Sequence, residues 1–350
     1  MKVFVPHQKD RNIYLDEIIS YSECNFIFGK YTEYKKEFEI VNIQFPEAIF
    51  DWVLPTEKQL VDLENQLKIW KRNSKIVYTL NDFKTHYNNK KAFETLFLIV
   101  FKYADAVIHL GNYSLEKYKN KFSMNCLHQV IYHPLYSSLL SQIHKKKIQK
   151  IIPIQLEGKF IVTVIGRVRA VEEFKMVVRA FNKIPNRNKV LIAPMLLDFI
   201  KVPDFVPYRF RKKWRIFVRK WYTKSLNSDE YYFSNYFLEY SYVVDLLEKT
   251  SLLIIPRIKN LNSGNLFLGL TFNLPMLIPE IGNLSEAASL LKLPVLKVDF
   301  KNLDNVLEML LDNNFTAKYS TKEYEKNKMK FHPQKIAFEY DSFFKILINK

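Results

Sequence analysis

Short apolar runs alternate along the chain with stretches whose apolar residues recur every three or four positions. In the first half the runs are VFVP (3–6), FIFG (26–29), EIVNIQF (39–45), KIVYTL (75–80), AVIHLG (106–111) and HQVIYHP (128–134). Helical spacing fills 56–72, 90–103 and 114–122 between them. Near-continuous apolar strands separated by helices predict a parallel sheet covered on both faces. A charged, Pro-containing stretch at 143–159 then reads as a linker. The alternation restarts with KFIVTVIG (159–166), KVLIAP (189–194), SLLIIP (251–256), PMLIP (275–279) and PVLKVD (294–299). The pattern thus predicts an α/β protein of two doubly wound domains, 1–150 and 151–330. Beyond them, Ile336, Tyr340, Phe343, Phe344 and Leu347 mark one face of an amphipathic helix within 331–350.

Two breaks interrupt the apolar pattern between 260 and 286, in NLNSGNLFLGLTFNLPMLIPEIGNLSE. The first places Asn262, Ser263, Gly264 and Asn265 between a strand and a helical run, and the second repeats the device at 280–286. A strand, a Ser-Gly turn and a helix start expose backbone N–H groups at the positive end of a helix dipole, which suits a phosphate. The alternative is an ordinary loop in which Ser263 caps the helix. Gly166, Arg167 and Arg169 follow another strand, where glycine permits close approach and arginine can fork onto phosphate oxygens.

At 350 residues the chain is long enough for two cores, and 48% hydrophobic content suits a globular protein rather than a disordered one. Lys and Arg number 53 against 36 Asp and Glu, so the net charge of +17 predicts an anionic partner: nucleic acid, phospholipid or a phosphorylated substrate. Cys24 and Cys126 alone are too few for a disulfide framework, and no cluster has the spacing of a metal site. The opening MKVFVPHQKD is unlike a signal peptide, and TLFLIVF (95–101) falls far short of the roughly 20 residues that span a bilayer. The expected location is the cytoplasm.

The segment 208–222, YRFRKKWRIFVRKWY, is the most unusual in composition. As a helix it sets Phe210, Trp214, Phe217, Val218 and Trp221 on one side, with Arg209, Arg211, Lys212, Lys213, Arg215, Arg219 and Lys220 around the remainder. A polybasic helix with an aromatic stripe suits an anionic membrane, here the inner face of the cytoplasmic membrane. The alternative is a stripe that packs on its own domain beneath solvated charges.

Segments 162–184, 251–286 and 331–347, in that order, resemble the nucleotide-sugar half of a GT-B glycosyltransferase of the family 4 type. Upstream, VNIQFPEAIFDW (41–52), KIVYTLNDFKTHY (75–87), ADAVIHLGNYSLEKY (104–118) and HQVIYHPLY (128–136) are similar to the acceptor-binding half of bacterial surface-polysaccharide members. The resemblance implies two Rossmann-like domains facing a cleft, with the C-terminal helix crossing back to the N-terminal domain. It implies transfer of a hexose-type sugar from a UDP- or GDP-sugar to a saccharide or lipid-linked acceptor, without a resident cofactor or metal. Gly166, Arg167, Arg169 and the amides of Asn262–Asn265 would hold the donor diphosphate, and Glu286 would stand near the sugar or ribose, unless it caps its helix. The sequence departs from the family at Asn260 and Leu268, where relatives carry glutamates, at Glu172, where a basic residue is common, and at Asn81, where a histidine is.

Inverting transfer needs a carboxylate or histidine to take the acceptor's proton. Asp82 is the first candidate, with Glu47 and His86 beside it, because all three follow strands of the first half; Asp82 has the alternative of capping its turn. Two other classes stay open: a GT-B relative that has lost its chemistry, and a non-enzymatic binder of polyanions or nucleic acid. Against the second, no recognised nucleic-acid motif occurs, so nucleic acid is not an expected partner.

Overall fold

The computed structural model describes residues 1–85, 91–143, 146–234, 236–259, 261–296 and 315–350. They divide into two compact units. One holds Met1–Tyr136 with Leu261, Asn262 and Lys328–Lys350; the other holds Ser137–Lys259 and Ser263–Asn327.

In the first unit β1 (Lys2–Val5), β2 (Asn25–Phe28), β3 (Ile40–Ile43), β4 (Lys75–Leu80), β5 (Ala106–His109) and β6 (Leu127–Val130) form a parallel sheet in the order β2-β1-β3-β4-β5-β6. Successive side chains alternate between two cores. Phe4, Val41, Ile43, Ile76, Tyr78, Leu80 and Val107 face one, while Val3, Val5, Ile40, Val77, Ala106 and Ile108 face the other. Both faces are covered, which explains why the strands read as unbroken apolar runs. The helices are α1 (Tyr14–Ile19), α2 (Glu57–Asn73), α3 (Lys91–Tyr103) and α4 (Asn112–Tyr118). α2 begins where sequence places it, because Thr56 and Gln59 close a capping box: the Gln59 N–H donates to Thr56 Oγ1 and the Thr56 N–H to Gln59 Oε1. Its buried Leu60, Leu63, Leu67 and Trp70 then line up on one face.

The second face is closed by the last helix, Pro333–Ile348. Ile336, Tyr340, Phe343, Phe344 and Leu347 all lie in the core with β1, β4 and β5, as their spacing predicts. The Tyr14 and Tyr340 hydroxyls meet at 2.9 Å, joining this helix to α1. Asp341 fastens the same region, accepting from the Glu23 N–H at 2.7 Å.

In the second unit β7 (Phe160–Thr163), β8 (Lys189–Ile192), β9 (Tyr231–Tyr232), β10 (Leu252–Ile254) and β11 (Met276–Leu277) form a parallel sheet in the order β11-β10-β7-β8-β9. Its helices are α5 (Val171–Lys183), α6 (Tyr208–Thr223), α7 (Tyr240–Glu248), α8 (Gly264–Thr271), α9 (Gly282–Leu290) and α10 (Lys322–Lys328), and the C-terminal helix is α11. Gly269 lets α8 lie flat on this sheet, since a Cβ there would collide with Met276 and Leu253. Of the run 294–299, residues 297–299 lie outside the described residues; Leu296 bridges Pro279 beside β11.

The stretch 143–159, read from its charges as a linker, contributes core instead. Ile148, Ile152 and Leu156 pack with Ile161, Val190, Ile192 and Leu246. Asp245 of α7 anchors it, accepting from the Ile148 N–H at 2.8 Å while pairing with Lys249 at 2.6 Å and Lys147 at 3.5 Å. The division between the units therefore falls at Tyr136–Ser137.

Burial holds two histidines of the first unit neutral, pushing His109 down to about 3 and His133 down to about 4. The unfolded chain titrates near pH 6.5, so their contribution is complete above that pH and is lost as pH falls toward the folded values. Each histidine should cost about 1.4 kcal/mol per pH unit below 6.5. Denaturant unfolding at pH 7 and 5 should show the loss, and His133→Gln should flatten the dependence.

Candidate active site

Three helical starts follow three neighbouring strands. β10 pairs with β7 on one side and β11 on the other. The loops after β7, β10 and β11 carry Gly166, Ser263–Asn265 and Gly282 respectively, so they share one end of the sheet. From β7 the chain runs outward through β8 and β9, then returns to place β10 on the opposite flank. That reversal opens a crevice beyond the carboxyl ends of β7 and β10, the position where open α/β sheets bind ligands.

The two loops meet there. Gly166 sits at φ +84°, the left-handed region that favours glycine. The Asn265 carboxamide donates to the Ile165 carbonyl beside it. A Cβ at Gly166 would lie 3.3 Å from Asn265 Nδ2 and 4.0 Å from Arg257 Nη2.

Arg257 is the residue that sequence reasoning missed. The residue is 5% exposed, and its guanidinium donates to the carbonyls of Arg167 at 2.9 Å and Pro256 at 2.8 Å. It pairs with the equally buried Glu173 at 3.6 Å, and Glu173 Oε2 accepts the Arg169 N–H at 2.7 Å. The pair therefore holds the 166–170 turn from below. Burial raises the Glu173 carboxyl above its ordinary range, with Arg257 opposing the shift. The one sequence signal was a lone basic residue directly after an apolar strand.

The helix starts differ in what they can accept. In α5 the Glu173 carboxylate already occupies the first turn. In α8, Ser263 makes no side-chain capping bond and the first turn holds no acid. The first N–H groups of a helix lack intrahelical partners, so α8 directs donors and a positive dipole end into the crevice. The capping role weighed for Ser263 is thus not taken up. Gly282, at φ +47°, starts α9 on the same terms, without an acid in the first turn. Glu286 lies beyond that turn, so it does not cap it.

Of the remaining candidates, Arg167 is half-exposed, 3.6 Å from Asp198 through Nε, with its guanidinium 5.0 Å from the Phe237 ring centre. Arg169 is exposed on the same turn. Asn262, which belongs to the first unit, donates from its side chain to the carbonyls of Leu80 at 3.4 Å and Asn81 at 2.7 Å. In that unit Glu47 is buried in the turn Pro46–Phe50 after β3, and Asp82 follows β4. Tyr78 donates its hydroxyl to the Asp82 carbonyl at 2.5 Å. Burial first, then the charges of Asp82 and Glu47, drive the Tyr78 phenol well above its ordinary range. His86 lies outside the described residues.

The basic helix α6 divides its aromatic stripe. Trp214, Val218 and Tyr222 pack on the second unit's core, so Trp214 and Val218 leave the stripe they were expected to share with Phe210, Phe217 and Trp221. Phe217 and Trp221 are 69% and 66% exposed, with Phe210, Tyr208 and Ile216 also outward. Seven positions separate Phe210 from Phe217, and four more reach Trp221, a helical repeat distinct from the inward one. Among the described residues no helix is long and apolar enough to cross a membrane.

No family model matches the chain, and no curated protein matches it. Solved structures do. Sucrose-phosphate synthase from Thermosynechococcus elongatus is similar over 99% of both chains, at 11% identity and TM-score 0.66. HepE of Anabaena, solved with UDP-glucose, is similar over 99% of both chains, at 12% identity and TM-score 0.67. Trehalose 6-phosphate synthase from Burkholderia multivorans is similar over 91% of this chain and 72% of its own, at 10% identity and TM-score 0.59. At such identities the likeness is one of architecture: the chain has the GT-B glycosyltransferase fold.

Removing Arg257 should leave Glu173 buried without a cation. Arg257→Met is expected to lower stability by about 3–5 kcal/mol, the cost of breaking a buried pair by one partner, whereas Arg257→Met with Glu173→Leu should recover most of it. Thermal and denaturant unfolding of the four proteins in the cycle checks this.

Proposed function

We propose that the protein is a glycosyltransferase that moves a hexose-type sugar from a nucleotide-sugar to a saccharide or lipid-linked saccharide. One observation carries the reading: the uncapped start of α8 lies against the left-handed glycine turn after β7, bound to it through Asn265. A diphosphate there would receive the amides following Ser263 and the guanidinium of Arg167, with Arg169 on the same turn. These are preorganised charges, worth most where water is excluded and negative charge builds on a leaving phosphate. Glu286 would stand toward the sugar or ribose. UDP is favoured over GDP as the nucleotide because HepE, of the same fold, has been solved with UDP and with UDP-glucose.

On the acceptor side, Asp82 would take the hydroxyl proton, with Glu47 and His86 in support. The domain roles follow: the first unit binds acceptor and the second binds donor. The product fits bacterial capsule, exopolysaccharide or lipopolysaccharide assembly, in which the growing glycan is carried on lipid. α6 supports that assignment. Its outward aromatics, with Arg209, Arg211, Lys212, Lys213, Arg215, Arg219 and Lys220 around them, suit an anionic leaflet at about 1 kcal/mol per basic group near the surface. The protein would then work from the cytoplasmic face of the membrane.

Donor binding tests the reading directly. UDP or UDP-glucose should raise the melting temperature and bind in titration calorimetry. Arg167→Ala and Gly264→Val should each weaken binding about 10-fold or more, since a charge-assisted bond contributes about 1.5–3 kcal/mol. Asp82→Asn should bind donor normally but turn over far more slowly. Unaltered affinity in both donor-loop variants would refute the placement, and oligonucleotide binding with no nucleotide effect would favour the polyanion-binding class.

Vesicle sedimentation addresses the helix. The protein should bind phosphatidylserine-containing vesicles in a salt-sensitive way, and glutamine at Lys212, Lys213, Arg215 and Lys220 should release it. Wild-type protein that ignores such vesicles rules out the membrane role.

A further inference from the structure

Exposed apolar side chains are gathered on one part of the second unit. Among its described residues, the large ones other than Leu140 all fall between Phe205 and Phe237. A gathering of this kind marks an interaction site, whereas single exposed apolar residues do not. Phe205 and Tyr208 are 83% and 90% exposed, on a turn that is firmly held. Between them Val206 is buried; its N–H donates to the Pro203 carbonyl at 3.1 Å, and its carbonyl accepts from Arg211 Nε at 3.1 Å. The two rings are thus held outward rather than left to find cover.

α6 continues this surface. Phe217 and Trp221 directly precede the inward Val218 and Tyr222, so they stand about 100° round the helix from the buried row, on its shoulder. Arg209, Lys213 and Lys220 stand on the same side beyond them and are exposed. From 199 to 224 the chain carries nine basic residues against one acid, Asp204, so the partner is anionic. Rings beside bases suit a bilayer: the rings enter the boundary between headgroups and acyl chains, and the bases meet lipid phosphates.

The same surface reaches the turn that follows β7. The Tyr222 ring lies 4.8 Å from Trp221, 5.0 Å from Phe199 and 5.4 Å from Phe174. Phe174 is near the start of α5, at the end of the sheet where the strands' carboxyl ends lie. Asp198, next to Phe199, pairs with Arg167 at 3.6 Å. The half-exposed Phe237 ring stands 5.0 Å from the Arg167 guanidinium. Trp221 and Arg167 are therefore linked through Tyr222 and residues 198–199.

We infer that the turn 203–208 and the shoulder of α6 insert into an anionic bilayer, and that Arg167 and Phe237 come to lie at its headgroups. The inference rests on the membrane role proposed for α6, and on the donor site only in naming what Arg167 binds. It deepens that reading by setting sugar transfer at the bilayer surface itself.

Spin labels on the full chain test it, since Cys24 and Cys126 are buried and leave introduced surface cysteines as the labelling sites. The single variants are Phe205→Cys, Phe217→Cys, Phe237→Cys and, as a reference at the opposite end of the sheet, Arg187→Cys. On vesicles of mixed phosphatidylcholine and phosphatidylserine, the labels at Phe205 and Phe217 should meet lipid-soluble oxygen in preference to a water-soluble nickel chelate. The label at Phe237 should lose part of its access to the chelate, and that at Arg187 none. Phe205→Ser with Phe217→Ser should weaken vesicle binding about 10-fold or more and remove the part that survives high salt, with the melting temperature unchanged because both rings are exposed. Labels at Phe205 and Phe217 that stay in water on bound protein, a Phe237 label as accessible as that at Arg187, or undiminished binding by the double variant would overturn the inference, as would a parent protein that ignores the vesicles. UDP-induced stabilisation of the unlabelled protein separates the two ideas. UDP binding with Phe237 in open water sinks this orientation alone, and Phe237 at the headgroups with no nucleotide effect sinks the nucleotide-sugar site alone.

Discussion

The hydrogen bond from the Asn265 carboxamide to the Ile165 carbonyl sets the distance between two loops that sequence separates by about a hundred positions. Everything assigned to the second unit depends on that distance. The glycine leaves room for that contact, since a Cβ at 166 would press on the Asn265 carboxamide, and wider separation would forfeit a partly buried bond. Below it, Arg257 and Glu173 hold the carbonyl of Arg167 and the amide of Arg169. The backbone of the turn is thus fixed from beneath, while the side chains of Arg167 and Arg169 remain outward. A turn held this way keeps its cationic side chains in a fixed place, which recognition of a phosphate group needs.

Local chemistry in the sequence was enough to place most of this. Parallel strands were legible because burial on both faces leaves them continuously apolar, as at Ile40–Ile43 and Lys75–Leu80. The start of α2 was legible from Thr56, and the last helix from the spacing of Ile336 to Leu347. Gly166 and Ser263–Asn265 stood out because they break apolar runs. What escaped is what depends on distant partners. Lysines at 145–150 looked like a tether, and only Asp245, nearly a hundred positions away, makes Ile148 part of a core. Arg257 looked like any basic residue after a strand until Glu173 came beneath it. The aromatic stripe of α6 was visible, but periodicity alone does not say that Trp214 turns in while Trp221 turns out. The single turn and a half of α1 is too short for its apolar spacing to register.

Both sheets reverse direction once, and in each the reversal carries residues unsuited to a plain core. At β7 and β10 these are a left-handed glycine and an uncapped helix; at β1 and β3 it is the buried His7.

The last helix has a consequence for how the chain comes off the ribosome. The sheet that starts at Lys2 has one face open until residues 333–348 arrive, roughly 200 positions after Tyr136; at about 5–20 residues per second that is a wait of about 10–40 s. During that interval the face carrying Val3, Val5, Ile40, Val77 and Ile108 has only α1 to cover it while the second unit is already being made. Nascent protein is therefore expected to need a holding chaperone for its first-made half, and premature termination anywhere before Pro333 would leave that half sticky rather than merely inactive.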